Sequence, residues 1–164
     1  MATILMIVNY AETGWEIVTQ RAHGLLAAQL AMHWNKKRRP ERWTETVLAI
    51  AEHDDAEVEL DGENLLTPNG SPLNFDMKSF ELNHCEQLSA LAMTKSRYIQ
   101  LLTSMHMDFL YRKDAHKING AAHFLDQQSK VRAIARKELA IKKSTAENIY
   151  CLMEWFDACS LLLC

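Results

Sequence analysis

Apolar residues repeat at three- and four-residue steps over most of this chain, and that spacing is the period of an α-helix. The first clear example runs through His23, Leu26, Ala27, Leu30 and Trp34. Only five glycines and three prolines interrupt 164 residues, fewer than the many turns of a sheet sandwich require. Hydrophobic residues make up 48% of the chain, enough for one core. The sequence therefore predicts a mainly α-helical fold, with residues 1–164 forming a single domain.

The chain opens differently, with two β-rich runs at 4–10 and 15–18 around a turn that contains Gly14. This pattern predicts a small N-terminal β-hairpin. A turn cluster between Asp61 and Lys78 predicts a surface loop, which we interpret as an active-site cover. Four helices are expected: from about Thr19 to the basic run at 36–39, from Trp43 to His53, from Phe80 to a break near Thr94, and from Tyr98 to Leu110. A fifth, charged helix is expected at the periphery, from Ala121 to Leu139. The last helix, from Asn148 to Cys164, is expected to be buried and to follow a capping box at Ser144–Glu147.

Charge and composition argue against several classes of protein. The 18 Lys and Arg against 21 Asp and Glu give a net charge of −3, which argues against a broad surface for nucleic acid or anionic lipid. A basic leader and an apolar run of membrane length are both missing, so we expect a cytoplasmic protein that does not bind a membrane. Four cysteines without CxxC spacing are interpreted as reduced core thiols. Because the sequence stops within the apolar run 161–164, we expect the natural chain to continue.

Histidine and aspartate residues recur once on each of several predicted helices. Side chains that project inward from facing helices are the usual way to build a metal site in a helical bundle. Asp157 lies among apolar residues, where an unpaired carboxylate costs several kcal/mol, so a cation is the economical partner. For two of the candidates, His84 and His106, the alternative to ligation is a structural role. The candidate metal ligands are His23, His53, Asp54, His84, His106 and Asp157.

The remaining histidines have a simpler interpretation. A single histidine is more often an exposed or hydrogen-bonded side chain than a metal ligand. We interpret His33, His116 and His123 in this way.

The order His, His-Asp, His, His, Asp resembles the HD-domain superfamily, and in particular its two-metal branch. The resemblance implies an HD-like helical bundle in which one ion is held by His23, His53, Asp54 and Asp157. A second ion would be held by His84 and His106, with Asp54 bridging the two. The local sequences around these ligands also look like their HD counterparts, although Asp55 to Glu57 replace the glycine and basic residue that many of these hydrolases use to hold phosphate.

A closer resemblance covers essentially the whole chain. It is to an uncharacterised bacterial domain-of-unknown-function family, number 3891, which implies no reaction. The stretches that carry it are GWEIVTQRAHGLLAAQLA, ERWTETVLAIAEHDD, LLTSMH and FDACSLLLC.

The HD resemblance implies a metal-dependent hydrolase that acts on a phosphoester or nucleotide-like small molecule, with Asp54 and His53 as catalytic residues. The cofactor would be one or two divalent ions, and imidazole with carboxylate suits iron, manganese, zinc, nickel or cobalt. Two alternatives use the same ligands: a di-iron oxygenase, and a non-catalytic metal-binding or regulatory module. The basic residues nearest the ligands in sequence, and hence the candidates for binding substrate phosphate, are Arg21, Lys95, Arg97 and Arg112.

Overall fold

A computed structural model describes residues 6–54, 65–77 and 80–164. It confirms the predicted fold class, because the chain is mainly helical and begins with a two-stranded antiparallel hairpin. Strand β1 (Met6–Ala11) pairs with β2 (Gly14–Thr19) so that Met6 lies opposite Thr19 and Ala11 opposite Gly14. Gly14 has a φ of 144°, a backbone conformation that residues with a side chain rarely adopt.

The helices follow the predicted order along the chain. Short 3-10 turns lie at Lys36–Arg38, Phe75–Met77 and Ala115–Lys117. The α-helices are α1 (Gln20–Met32), α2 (Trp43–Ala51), α3 (Leu82–Lys95), α4 (Arg97–Tyr111), α5 (Ala121–Glu138) and α6 (Lys143–Leu163).

Side-chain caps fix two of the helix starts. Thr19 caps α1 by accepting a hydrogen bond from the backbone N of Ala22 at 3.1 Å. Ser96 ends α3 and caps α4, since its hydroxyl accepts from the backbone N of Ile99 at 3.0 Å. The predicted break between α3 and α4 is thus a single residue, Ser96, at which one helix ends and the next begins.

The main core lies where α1, α2, α4 and α6 meet. Ala27, Ile50, Leu102 and Met153 are each fully buried there, one from each helix. A second cluster, which includes Phe80, joins α3, α4 and α5, and α5 packs mainly on α4 at the edge of the bundle. The two clusters hold α4 between them, so α4 and its neighbours can carry side chains into the centre of the domain.

Two expectations for the last helix are wrong. α6 begins at Lys143 rather than Asn148, and no side chain caps it, so residues 144–147 are inside the first turn and form no capping box. The helix is also not buried all round, because Trp155 and Leu162 are 53% and 86% exposed. These two apolar side chains, seven residues apart, lie on an outer face of α6 that stays largely exposed in the described part of the chain.

The predicted loop lies only partly in the described residues. Leu66 and Pro72 form an isolated antiparallel bridge, and the Asn74 side chain accepts from the backbone N of Val8 at 3.2 Å. This contact ties the loop to β1. Residues 61–64 and 78 lie outside the described residues, and the role as a cover stays a prediction.

Two smaller expectations concern cysteines and membranes. All four cysteines are free thiols, but only Cys85 is buried, and Cys151 is exposed. The prediction of core thiols therefore holds for Cys85 and is wrong for Cys151. Within the described residues, no helix combines the length and apolar character needed to cross a bilayer.

Candidate metal centre

Four helices bring five of the predicted ligands to one point in the core. His23 lies in the first turn of α1, and His106 and Asp157 lie within α4 and α6. His53 and Asp54 follow the end of α2 at Ala51, where the chain turns away from the helix axis. Because they stand at a helix end, the adjacent His53 and Asp54 both face the same centre.

The centre has a compact triangle of donor atoms. The Nε2 atoms of His23 and His53 are 3.1 Å apart, and Asp157 Oδ1 lies 3.1 Å from the first and 3.2 Å from the second. Two ligands bound at right angles to one cation, each about 2.1 Å from it, lie about 3 Å apart. The three donors therefore have the spacing of ligands around a single cation.

Two further donors extend this triangle on either side. Asp54 Oδ2 lies 3.3 Å from His53 Nε2, and His106 Nε2 lies 4.0 Å from Asp157 Oδ2. Two overlapping groups result, each with ligand atoms within 4.8 Å of one another: His23, His53 and Asp54, and His53, His106 and Asp157. We call these five residues the donor cluster.

Hydrogen bonds at the opposite ring nitrogens set the protonation of the two facing imidazoles. His53 Nδ1 is 2.7 Å from the carbonyl oxygen of Ile50, which can only accept, so Nδ1 carries the proton. Ser160 donates its one proton to the carbonyl oxygen of Asp157 at 2.7 Å, and therefore accepts from His23 Nδ1 at 2.6 Å. When both rings are neutral, two Nε2 lone pairs face each other across 3.1 Å. Only a proton or a cation between them makes that arrangement favourable.

The third imidazole is held similarly. His106 Nδ1 lies 3.2 Å from the hydroxyl of Tyr150, and its ring stacks on Phe109 at 23° between planes. Both His106 and Tyr150 are buried. Each histidine of the donor cluster thus has an outer partner for Nδ1, as the ligands of protein metal sites usually do.

The electrostatics of the donor cluster favour positive charge. Burial lowers the pKa of His53, but the carboxylates of Asp54 and Asp157 outweigh it and raise the pKa to about 9. Burial raises the pKa of Asp157, yet its hydrogen bonds with His23 and His53 hold that pKa well below its usual range. Burial together with the charge on His53 lowers the pKa of His106 to about 4. Without a cation, the cluster keeps a proton on His53 to balance its carboxylates.

A glycine allows the two facing histidines to come so close. A Cβ atom on Gly24 would lie 2.7 Å from the carbonyl oxygen of Ala51, closer than real contacts allow, and 3.8 Å from His53 Cε1. Helix α1 therefore packs directly on the end of α2 next to His23. This contact fixes the separation of the two imidazoles.

His84, the sixth predicted ligand, is not one of the five residues of the donor cluster. It is buried in the first turn of α3 and belongs to neither of the compact donor groups among the described residues. The structure instead places His106 beside His53 and Asp157. The pairing of His84 with His106 around a separate ion stays a prediction.

The predicted phosphate-binding residues are dispersed. Arg97 pairs with Glu138 at 2.8 Å, and Lys95 lies 3.2 Å from Glu52. Arg112 binds Asp108 at 2.8 Å and Asp126 at 2.7 Å. These three side chains are engaged by protein carboxylates.

The other predictions about single side chains have simpler outcomes. Arg21 is exposed on α1, two residues before His23. His33, His116 and His123 are exposed, in agreement with their interpretation as ordinary surface histidines.

Sequence reasoning missed the residues that support the ligands. Ser160 follows Asp157 by three residues on α6, and this spacing places both side chains on one face of the helix. The sequence therefore could have indicated that Ser160 lies near the ligands. No sequence pattern indicated the roles of Tyr150 and Gly24, because these roles depend on contacts between helices.

Comparison with known proteins adds a family but no reaction. A family model described as "Protein of unknown function (DUF3891)" matches residues 6–164. No curated protein and no solved structure matches the chain. The function must therefore be argued from the donor cluster.

Proposed function

We propose that this chain, which belongs to the DUF3891 family of proteins of unknown function, is a metal-dependent hydrolase of the HD type that acts on a phosphoester or nucleotide-like substrate. One observation supports the metal above all others. His23 Nε2, His53 Nε2 and Asp157 Oδ1 lie within 3.2 Å of one another, and both imidazoles are held in the tautomer that turns a lone pair toward the shared point.

The donor set selects the class of cation. Imidazole nitrogens with carboxylate oxygens suit manganese, iron, zinc, nickel or cobalt, whereas calcium prefers oxygen ligands alone. Since the two donor groups share His53 and neither contains His84, we propose one cation held by the donor cluster.

Hydrolysis follows from the chemistry that such a centre offers. A bound divalent cation supplies Lewis acidity and lowers the pKa of a coordinated water toward neutrality. Asp54 is the more exposed carboxylate of the cluster, with 26% of its side chain accessible against 12% for Asp157. We therefore assign Asp54 to accept the proton of the attacking water. His53 would hold the cation. The HD resemblance supports a phosphoester as substrate.

Metal analysis tests the centre directly. Protein purified without added metal is expected to contain a stoichiometric transition metal by elemental analysis, and His53→Ala and Asp157→Ala to lose it. His123→Ala is the matched control, because His123 is an exposed histidine on α5. Circular dichroism checks that each variant is folded. Equal metal content in folded His53→Ala, Asp157→Ala and control protein would show that the cluster is not a metal site.

Activity is tested separately on the metal-loaded protein. A panel of phosphomonoesters, phosphodiesters and nucleotides is assayed with Mn²⁺. We expect turnover of at least one, and a loss of about 100-fold or more in Asp54→Asn, in line with removal of a general base. Equal rates in Asp54→Asn would contradict the role assigned to Asp54.

A second candidate, oxygen activation by iron, is favoured by one feature of the triangle. Two histidines and one carboxylate on one face of the cation form the ligand set of non-haem iron oxygenases. Anaerobic loading with Fe²⁺ followed by exposure to oxygen distinguishes it, because an oxygenase would consume oxygen and change its visible spectrum. A protein that binds metal but shows neither reaction would be the non-catalytic module.

A further inference from the structure

A groove lies between α4, α5 and α6 and shares Tyr150 with the donor cluster, since the hydroxyl of Tyr150 contacts His106. Its cavity volume is about 460 Å³, and its lining includes Phe109, Arg132, Arg136, Lys143 and Tyr150. We propose that this groove binds an organic phosphate, that is, a phosphoryl group attached to a planar apolar body, and that the bound anion tightens cation binding at the donor cluster. Only the effect on cation binding rests on the proposed function.

Positive charge is in excess along the groove. Three basic side chains line it against two acidic ones, Asp108 and Glu147. Arg132 is a fixed part of the wall, because it donates to Asp108 Oδ1 at 2.9 Å and to the carbonyl oxygen of Ser104 at 3.0 Å. An anion that enters the groove therefore meets a net attraction.

Two of the cations are available to a ligand. Arg136 forms no ion pair with any residue in the described part of the chain, and Lys143 reaches Glu147 only at 3.7 Å. They come from different helices, α5 and α6, and both line the same cavity. A guanidinium and an ammonium from two different helices suit a phosphoryl group, whose several oxygens can accept from both.

The other part of the groove is apolar and aromatic. Phe109 is 53% exposed, and the side chains of Met105 and Ala146 lie beside it and Tyr150 along the same cavity. An aromatic face of this kind packs on a planar apolar group. A free phosphate ion would leave this surface uncovered, which favours a phosphate that carries an organic body.

Tyr150 connects the groove to the donor cluster. Its side chain lines the groove, and its hydroxyl lies 3.2 Å from His106 Nδ1. An anion in the groove places negative charge one hydrogen-bonded side chain away from His106, and negative charge favours a nearby cation. By thermodynamic linkage, the cation must favour the anion by the same factor.

Binding in the groove is tested without metal, so that the result does not depend on the proposed function. Phenylphosphonate, which has no phosphoester bond to hydrolyse, is titrated into protein stripped with a chelator, and binding is followed by calorimetry. Loss of one charge-assisted contact is expected to weaken binding about tenfold in Arg136→Gln and again in Lys143→Gln. Lys37→Gln, an exposed charge outside the groove, is the matched control and should bind as the wild type does.

Three results would overturn the groove site: no binding of phenylphosphonate, unchanged affinity in both Arg136→Gln and Lys143→Gln, or equal affinity for inorganic phosphate, which lacks the ring. Weaker binding in the two variants with an unaltered control supports it.

Coupling is measured as Mn²⁺ affinity with and without saturating phenylphosphonate. We expect binding about fivefold tighter with the ligand, at the low end of usual coupling, and in Arg136→Gln the same shift only at about tenfold higher concentrations of phenylphosphonate. An unshifted Mn²⁺ affinity in a protein that binds phenylphosphonate would overturn the coupling but leave the groove site. A protein that binds phenylphosphonate and no metal would overturn the coupling together with the proposed function.

Discussion

His23 and His53 face each other through their Nε2 atoms at 3.1 Å, while the Nδ1 atom of each ring is hydrogen-bonded on its outer side. The outer bonds place the proton of each neutral ring on Nδ1, so that both Nε2 lone pairs point inward whenever the two rings are neutral. Asp157 Oδ1 lies 3.1 Å and 3.2 Å from the same two atoms. Three acceptors so close together need a shared positive charge, and several predictions depend on this relationship.

Removing the Ser160 hydroxyl should weaken the metal site. Ser160→Ala leaves His23 Nδ1–H without its acceptor, so the ring is free to turn and Nε2 is no longer held toward the cation. We expect metal affinity to fall about 10-fold to 100-fold, as for other outer partners of ligating histidines. Competition with a metal-sensitive dye measures this affinity.

Ser104→Ala is the matched control for that prediction. Ser104 is also a buried serine, but it contacts Arg132 and Gln128 instead of a cluster histidine. It should alter stability while metal affinity stays at the wild-type value. Equal losses of affinity in both variants would mean that Ser160 acts only through general packing.

Adding a methyl group at Gly24 should separate α1 from the end of α2. A helical glycine replaced by alanine usually gains about 0.5–1 kcal/mol, but here the new Cβ would lie 2.7 Å from the backbone oxygen of Ala51. Overpacking costs about 1–3 kcal/mol, so we expect a net loss of up to about 2.5 kcal/mol in the free energy of unfolding, with weaker metal binding. Urea denaturation measures the first quantity. Gln29→Ala, an exposed change on the same helix, should be close to neutral, and a more stable Gly24→Ala protein would contradict the close approach.

The metal-free protein should lose stability as pH rises from about 6.5 to about 9. The pKa of His53 is raised to about 9 in the folded chain, against about 6.5 for an unfolded histidine. The charged imidazole therefore stabilises the fold fully below the lower value, and this contribution disappears as pH passes the upper one. Thermal melts of chelator-treated protein across this range measure the effect, which His53→Ala should abolish.

The same titration predicts a proton released on metal binding near pH 7.5, because the cation must displace the proton from His53. Calorimetric titration of Mn²⁺ in two buffers with different ionisation enthalpies counts that proton. An identical enthalpy in both buffers would show that His53 is already neutral before the metal binds.

A change in the core away from the donor cluster should affect stability alone. The hydroxyls of Thr46 and Tyr98 are 2.8 Å apart and buried between α2 and α4. Thr46 donates its own proton to the carbonyl oxygen of Arg42 at 2.9 Å, so Tyr98 is the donor of the shared bond. Tyr98→Phe should cost about 1 kcal/mol of unfolding free energy. A loss of metal in this variant would mean that the contact between α2 and α4 also sets the cluster geometry.

The predictions from sequence succeeded where the determining interactions are local. The hairpin around Gly14 and the start of α1 near Thr19 depend on residues a few positions apart, so a short stretch of sequence contains all that decides them. The start of α6 was misplaced because a Ser-x-x-Glu pattern resembles a capping box even when the helix has already begun at Lys143.

For the donor cluster, the sequence by itself indicated which residues to consider, since His23, His53, Asp54, His106 and Asp157 recur on or at the end of successive predicted helices. Only the tertiary structure decided that His106 joins His53 and Asp157 in one compact group of donors, and that Ser160 and Tyr150 contact the outer nitrogens of the rings. The physical reason is that periodicity gives the buried face of each helix, whereas the distance between two faces depends on how closely the helices pack. Here that distance is set at Gly24, where a missing side chain lets α1 contact the backbone of Ala51.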